Sequence, residues 1–459
     1  MPARPNLVVI LVDDLRFDET GASGHPYLKT PHIDRIAHEG ASFLNAFHTT
    51  PLCSPNRACI LTGQYASRHG IIDNIGRDAM SHRLANYHVE LQRVGYETAH
   101  IGKWHMGNDP GPRPGYDHWV SFRGQGTIVD PVLWEDGSER TVEGYVTDIL
   151  SERAVAFVRK NRQRPFALFL AHKAVHPDVQ QRQDGSIDVA SMQGYLPAER
   201  HRGLYKGAHY PMRPNVHSSR DAPPGKPALQ EAFALRGDHP SSKAMLGPLH
   251  TGTQEEVRLR AAMVASVDEG VGRLLEALER ARQLDDTCIV FLGDNGFFFG
   301  EHGLGAERRF AYEEGIRTPF FVRYPRRIAP GSTPEGIALA IDIAPTLLAL
   351  AGARPRARLQ GKSLLPLFGG RTRAGRRAFL IEYFSDSAFP WLVGMGYKAV
   401  RTERHKLIHW MHKEGADELY DLARDPYEMT NVIADPGYAQ VRRKLAAELR
   451  RLVAASVGL

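Results

Sequence analysis

Four stretches of this chain are apolar almost without interruption, and each has the length of a strand. Asn6–Val12 reads Asn-Leu-Val-Val-Ile-Leu-Val, a β-branched run typical of a strand buried on both faces. Similar runs recur at residues 165–171, 287–293 and 319–323. Between them the apolar positions change to helical spacing. Residues 148–161 form one such segment. Residues 253–283 form another, with Leu259, Met263, Val267, Val271, Leu274 and Leu278 on a repeating face. This alternation predicts an α/β fold with a large, mostly parallel central sheet flanked by helices. Sites in such sheets collect beyond the carboxyl ends of strands. Asp13-Asp14 and Asn295, preceded by Asp294, sit directly after two of the runs.

The pattern is lost over residues 180–252, which hold many Pro, Gly, His and Arg. This stretch reads as an irregular insertion, either on a substrate-facing rim or as a surface excursion. After Pro366-Leu367-Phe368-Gly369-Gly370 short alternating strands are predicted at 379–384, 397–401, 406–410 and 418–422, then a helix over 438–457. The chain thus divides into an α/β unit over 1–370 and a smaller C-terminal α+β subdomain over 371–459, an antiparallel sheet plus helix. There are no internal repeats.

Composition adds little to this picture but excludes several classes. At 459 residues the chain can bury a large core. It is 42% hydrophobic and 24% charged, ordinary for a soluble enzyme. The net charge of +6 is scattered and suits an anionic substrate. The short basic run over 371–377 reads as a solvated loop, so no nucleic-acid partner is expected. Three cysteines make no disulfide framework, and Cys59 and Cys288 lie in apolar surroundings as core residues. The run after Asn6 is too short for a signal peptide and ends in two acids. No run is long enough to span a bilayer. The expectation is a cytoplasmic protein without a membrane partner, of unreadable oligomeric state.

The chemistry concentrates in a few segments. In Cys53-Ser54-Pro55-Asn56-Arg57, Ser54 suits a helix cap, Pro55 its first turn, and Gly63 its end. Cys53 then lies at a helix mouth favouring an anion, beside the positive fork of Arg57. A buried loop thiol is the alternative, and the bare motif leaves both open. Asp13, Asp14, Asp294 and Asn295 offer only oxygen, which suits Ca²⁺ or Mg²⁺ rather than zinc. A polar turn is the plainer reading of either pair alone. Lys103 and His105 flank Trp104, so in extended backbone both point to one side. His172 and His176 are four apart, but Pro177 and the preceding strand argue against a helical zinc pair.

Cys-x-Pro-x-Arg followed by Leu61-Thr62-Gly63 resembles the signature of the type I sulfatase family, within the alkaline phosphatase superfamily. Gly102-Lys103-Trp104-His105-Met106-Gly107 resembles its second signature. The likeness runs from Asn6 to about Asn431, including Leu419-Tyr420-Asp421-Leu422 in the C-terminal part. It implies that Cys53 is oxidised to formylglycine by a formylglycine-generating enzyme. It implies a metal, usually calcium with magnesium or manganese as alternatives, held by Asp13, Asp14, residue 53, Asp294 and Asn295. It implies catalytic roles for Arg57, Lys103, His105, His176 and Arg308 in cleaving an aryl or saccharide sulfate ester. Two positions depart from the family pattern: Asn56, where Ser is commoner, and Arg308, where a lysine commonly touches the ester oxygen. Arginine stays protonated and donates a proton poorly, so His176 is expected to carry that task. Phosphonate monoester or phosphodiester hydrolysis, and a silent anion-binding relative, are the rival functions.

Overall fold

The computed structural model describes residues 4–160, 162–217, 223–238, 253–369, 375–386 and 388–458. Its centre is a seven-stranded sheet of β1 (Asn6–Val12), β2 (Ala41–Ser42), β3 (Glu97–Gly102), β4 (His118–Val120), β5 (Phe166–His172), β6 (Thr287–Gly293) and β7 (Phe320–Arg323). Their spatial order is β2-β7-β6-β1-β5-β3-β4. The five strands from β6 to β4 are parallel. The run over 319–323 is β7, and it pairs antiparallel with β6 at one side of the sheet.

Both faces of the sheet are covered, which explains the uninterrupted apolar runs. Val8, Ile10 and Val12 pack on one side with α1 (Pro31–His38), α4 (Val146–Arg159) and α5 (Gln254–Arg280). Leu7, Val9 and Leu11 pack on the other with α2 (Cys53–Thr62), α3 (Tyr87–Arg93) and α6 (Ile343–Ala351). Helix α5 begins where the apolar spacing begins, the Thr253 side chain accepting the Glu256 N–H. Met263, Val267, Val271, Leu274 and Leu278 are buried as the spacing predicts, and Leu259 is partly exposed.

The four C-terminal strands β8 (Ala378–Tyr383), β9 (Tyr397–Thr402), β10 (His405–Trp410) and β11 (Glu418–Asp421) form one antiparallel sheet in chain order. Helix α7 (Ala439–Val457) inserts Leu445 and Leu449 into the core beneath it. That core also includes Phe47, Leu52 and Cys59, so the smaller sheet is packed directly against the segment carrying Cys53. Residues 218–222 and 239–252 of the irregular stretch and 371–374 of the basic run lie outside the described residues. The described part of the irregular stretch is more regular than expected. It holds a short hairpin, Gln180–Gln181 with Ile187–Asp188, and a helix at Pro227–Asp238. Ala228, Leu229, Ala232 and Phe233 bury that helix against the C-terminal core; its apolar spacing was masked by the surrounding Pro and Gly.

Gly102 ties the sheet to the site. It ends β3 with φ 116°, and a Cβ there would stand 1.9 Å from the Ala171 carbonyl oxygen of β5. The neighbouring Lys103 N–H donates to that same oxygen at 2.8 Å. Gly102→Ala is therefore expected to destabilise the fold by about 3 kcal/mol or more. Thermal unfolding checks this, and an unchanged midpoint would refute it.

Candidate active site

Two strand ends meet because their register makes them meet. Val12 of β1 pairs with Gly293 of β6, so Asp13-Asp14 and Asp294-Asn295 leave the sheet side by side. All four are fully buried. The Asp14 N–H donates to Asp294 Oδ1 at 2.9 Å, and Asn295 Nδ2 donates to Asp14 Oδ1 at 2.7 Å.

Helix α2 delivers Cys53 to the same place. Cys53 is its first residue, and Gly63 ends it in the left-handed region at φ 65°. The expected cap differs. Leu52, in extended backbone, occupies the cap position and offers no side-chain acceptor, and Ser54 lies inside the first turn. Ser54 instead donates its hydroxyl to the His105 carbonyl at 2.7 Å, while Asn74 Oδ1 takes the Ser54 N–H at 3.2 Å. The capping function has passed to a neighbouring loop. Cys53 Sγ stands 3.6 Å from Asp13 Oδ1 and 4.0 Å from Asp14 Oδ1. Burial, then the charges of Asp13 and Asp294, push its thiol well above the ordinary range. As a plain thiol it is a poor nucleophile at neutral pH.

Cations surround this group. Arg57 donates from Nε to Asp294 Oδ2 at 2.8 Å and from Nη1 to the Lys103 carbonyl at 2.6 Å. Lys103 Nζ donates to Asp13 Oδ2 and to Gln125 Oε1. Arg308 Nη2 lies 2.8 Å from Asp14 Oδ2, and His176 Nε2 lies 4.0 Å from the same oxygen. His105 reaches the site by another route than expected. Its φ of 65° breaks the extended backbone, yet its ring stays within the electrostatic reach of Lys103 and Asp13. Burial holds both histidines well below their ordinary pKa, with Lys103 adding to the effect, so both are neutral in the free protein.

The carboxylates are not fully compensated by these cations. Burial pushes Asp13 up, but the charges of Lys103 and Arg57 outweigh it and hold it well below the usual range. Burial joined by the charge of Asp13 raises Asp294 to about 7, and burial raises Asp14 despite Arg308. Asn295 Oδ1 is buried without a hydrogen-bond partner. Ligand atoms of Asp13, Asp14, Cys53 and Asp294 lie within 4.8 Å of one another. Crowded hard oxygen donors with an orphaned amide oxygen fit a divalent cation of the calcium or magnesium type.

Several residues at the site were given no role from the sequence. Asn56 is the first. Its Nδ2 donates to the Asp294 carbonyl and lies 2.9 Å from His48 Nδ1, so this departure from the family pattern pins a strand end. Lys173 is fully buried, shares the Pro177 carbonyl with His176 Nδ1, and is lowered by burial to about 8. It stood in view between two histidines that drew the attention. Gln125 and Gln181 contact Lys103 and His105; only the glycines flanking Gln125 could have flagged them. His172 ends β5, buried and away from the carboxylates' hydrogen bonds, as a structural residue. A second cluster, His302, Glu314 and Glu428, carries its own counter-charge: Lys406 Nζ lies 2.7 Å from Glu428 Oε1. It joins the segment after Asp294 to the C-terminal sheet.

A parallel sheet with acidic strand tips facing a helix-borne residue and a ring of cations defines the class as an alkaline-phosphatase-like hydrolase of anionic esters. Residues 5–353 match the sulfatase family, and residues 300–455 match the C-terminal region of N-sulphoglucosamine sulphohydrolase. The chain belongs to the sulfatase family and is a hydrolase of sulfuric esters. It is 32% identical to an N-acetylglucosamine-6-O-sulfatase of Bacteroides thetaiotaomicron, over 96% of this chain and 85% of that one. A solved structure of a protein in complex with its substrate D-glucosamine-2-N,6-O-disulfate superposes with a TM-score of 0.84 at 30% identity, over 99% and 98% of the two chains. A phosphonate monoester hydrolase of Agrobacterium radiobacter, at 24% identity and a TM-score of 0.74 over 99% and 96%, shares the fold. Among the described residues no helix is long and apolar enough to cross a membrane.

Proposed function

We propose that this chain removes a sulfate ester from a sulfated glucosamine-type saccharide, with residue 53 at the reacting centre. The observation that carries the reading is the site itself, a buried anion pocket whose side chains all come from segments matching the family. The substrate class draws on the sulfatase at 32% identity and the solved structure at 30%, whose names give glucosamine sulfates. Asp13, Asp14, Asp294 and Asn295 would hold a divalent cation, calcium by preference, with residue 53 as a further ligand. When bound, that cation offsets the ester's negative charge, and formylglycine at position 53 supplies a hydrated aldehyde as nucleophile.

The chain's own residues carry the remaining work. Arg57 and Lys103 hold the anionic head of the ester and lower the repulsion an incoming oxyanion meets. Asp294 accepts a proton from the attacking hydroxyl at position 53. The bound ester's negative charge favours protonation of His176, which then delivers that proton to the departing alcohol oxygen, beside Arg308, whose fixed charge steadies that oxygen. His105 accepts a proton as sulfate leaves. The reading of the chain as a silent anion-binding relative rested on Asn56 and Arg308. Both are engaged, one on the Asp294 carbonyl and the other on Asp14.

Release of sulfate from 6-O-sulfated N-acetylglucosamine is expected to proceed with a kcat/KM about 10²-fold above that for cleavage of an aryl phosphonate. Parallel steady-state assays on the two compounds check it. Faster turnover of the phosphonate would overturn the proposed substrate class.

A further inference from the structure

We propose that Gln181, braced by Gln125, selects the tautomer of His105 and so decides which ring nitrogen is free to take a proton. The four side chains form one line of hydrogen bonds. Lys103 Nζ donates to Gln125 Oε1, Gln125 Nε2 donates to Gln181 Oε1 at 3.2 Å, and His105 Nε2 lies 2.6 Å from that same Oε1. Gln181 Nε2 donates to the Gly185 carbonyl at 2.7 Å.

The direction of this line is set from both ends. An ammonium has only donors, so Gln125 must turn its oxygen to Lys103 and its amide N–H₂ toward Gln181. A carbonyl has only lone pairs, so Gln181 must turn its N–H₂ to Gly185 and its oxygen toward His105. The two requirements agree, although an amide flip at either residue would break one of them. With an acceptor facing it at 2.6 Å, His105 Nε2 must carry the hydrogen. Nδ1 is then the ring's lone-pair nitrogen, and it is buried without a partner. Burial keeps the ring neutral, so the choice of tautomer is the choice of base.

The two glutamines are held by different segments that are themselves joined. Gln181 lies in the hairpin Gln180–Gln181 with Ile187–Asp188, closed by the Arg182 N–H donating to the Ser186 carbonyl at 2.8 Å. Gln180 Nε2 donates to the Gly126 carbonyl at 3.2 Å, fastening the hairpin to the Gln125 turn. The irregular stretch beginning at residue 180 therefore reaches the catalytic centre and orients a side chain there. Gln181 is a positioning residue. The part His105 plays rests on the function proposed above, whereas its tautomer does not.

Ring-nitrogen NMR of the full-length protein with ¹⁵N-histidine tests the tautomer directly, with His105 assigned by its loss in His105→Ala. A pyrrole-type Nε2 and a pyridine-type Nδ1 are expected; the reverse would overturn the proposal. Gln181→Leu is expected to mix the two forms and lower kcat on the order of 10- to 100-fold, with KM changed far less. Unchanged kcat in Gln181→Leu would overturn the proposal even with normal folding. Unchanged kcat in His105→Ala would instead sink the base assignment, while the ring signals still report on Gln181.

Discussion

Cys53→Ala is expected to lower sulfate release on the order of 10⁴-fold or more while leaving the fold in place. The loss is chemical because nothing else at the site can replace residue 53. The side chains around it are carboxylates committed to Arg57, Lys103 and Arg308, those cations themselves, and two histidines assigned to proton transfer. The fold survives because alanine keeps the helical start and removes one buried sulfur atom from a polar pocket. Neighbouring elements hold α2 through other residues, among them Ser54 on the His105 carbonyl and Asn56 on the Asp294 carbonyl. Turnover and thermal unfolding measured together check both halves, and turnover within tenfold of the parent would sink the proposed role. A mass measurement on the peptide from the parent protein adds a second check. The thiol is held protonated by burial and by Asp13, so an unoxidised cysteine at this position has no ready nucleophile. Activity in a preparation whose residue 53 is entirely thiol would likewise count against the account.

The strands were legible because two-sided burial leaves a plain trace in sequence, and α5 was legible because its buried face repeats over seven turns. The acidic strand tips could be read as one site because parallel neighbours end on the same edge of a sheet. Legibility stopped where positions depend on contacts between distant segments. Ser54 has the chemistry of a cap, but the cap position fell two residues earlier, at Leu52. His105 was placed on the right side for the wrong reason, since a turn at φ 65° and not strand alternation brings it there. Asn56 looked like a defect in a motif until its partner, a backbone carbonyl 238 residues away, was in view. Gln181 belongs to a hairpin of two-residue strands, too short to leave any periodicity. Motif positions follow from local chemistry; the residues that aim them follow from packing.

Chelation is expected to abolish turnover and lower the melting temperature, with calcium restoring both, and Asp14→Asn is expected to lose the calcium response. The argument begins with charge. Asp13, Asp14 and Asp294 bring three carboxylates into one buried pocket, and Arg57 and Lys103 are spent mainly on Asp294 and Asp13. The Asp14 carboxylate pairs with one guanidinium, that of Arg308, while Arg260 takes its backbone carbonyl, and burial still raises the carboxyl. A divalent cation among these oxygens offsets the remaining repulsion and binds the folded state alone, since the unfolded chain scatters its donors. At a hundredfold excess over its dissociation constant such a ligand stabilises by about 2.7 kcal/mol. Asn at position 14 removes one of the three charges and presents an amide N–H₂ where Arg308 needs an acceptor, so it weakens the cation site and disturbs the leaving-group side together. Turnover in Asp14→Asn is expected to fall on the order of 10³-fold, as when a charge-stabilising group is lost from a preorganised site. Differential scanning fluorimetry with and without chelator, beside the sulfate-release assay, separates the effects. A parent enzyme that keeps full activity and an unchanged melting temperature after exhaustive chelation would show that the acidic strand tips serve Arg57, Lys103 and Arg308 alone.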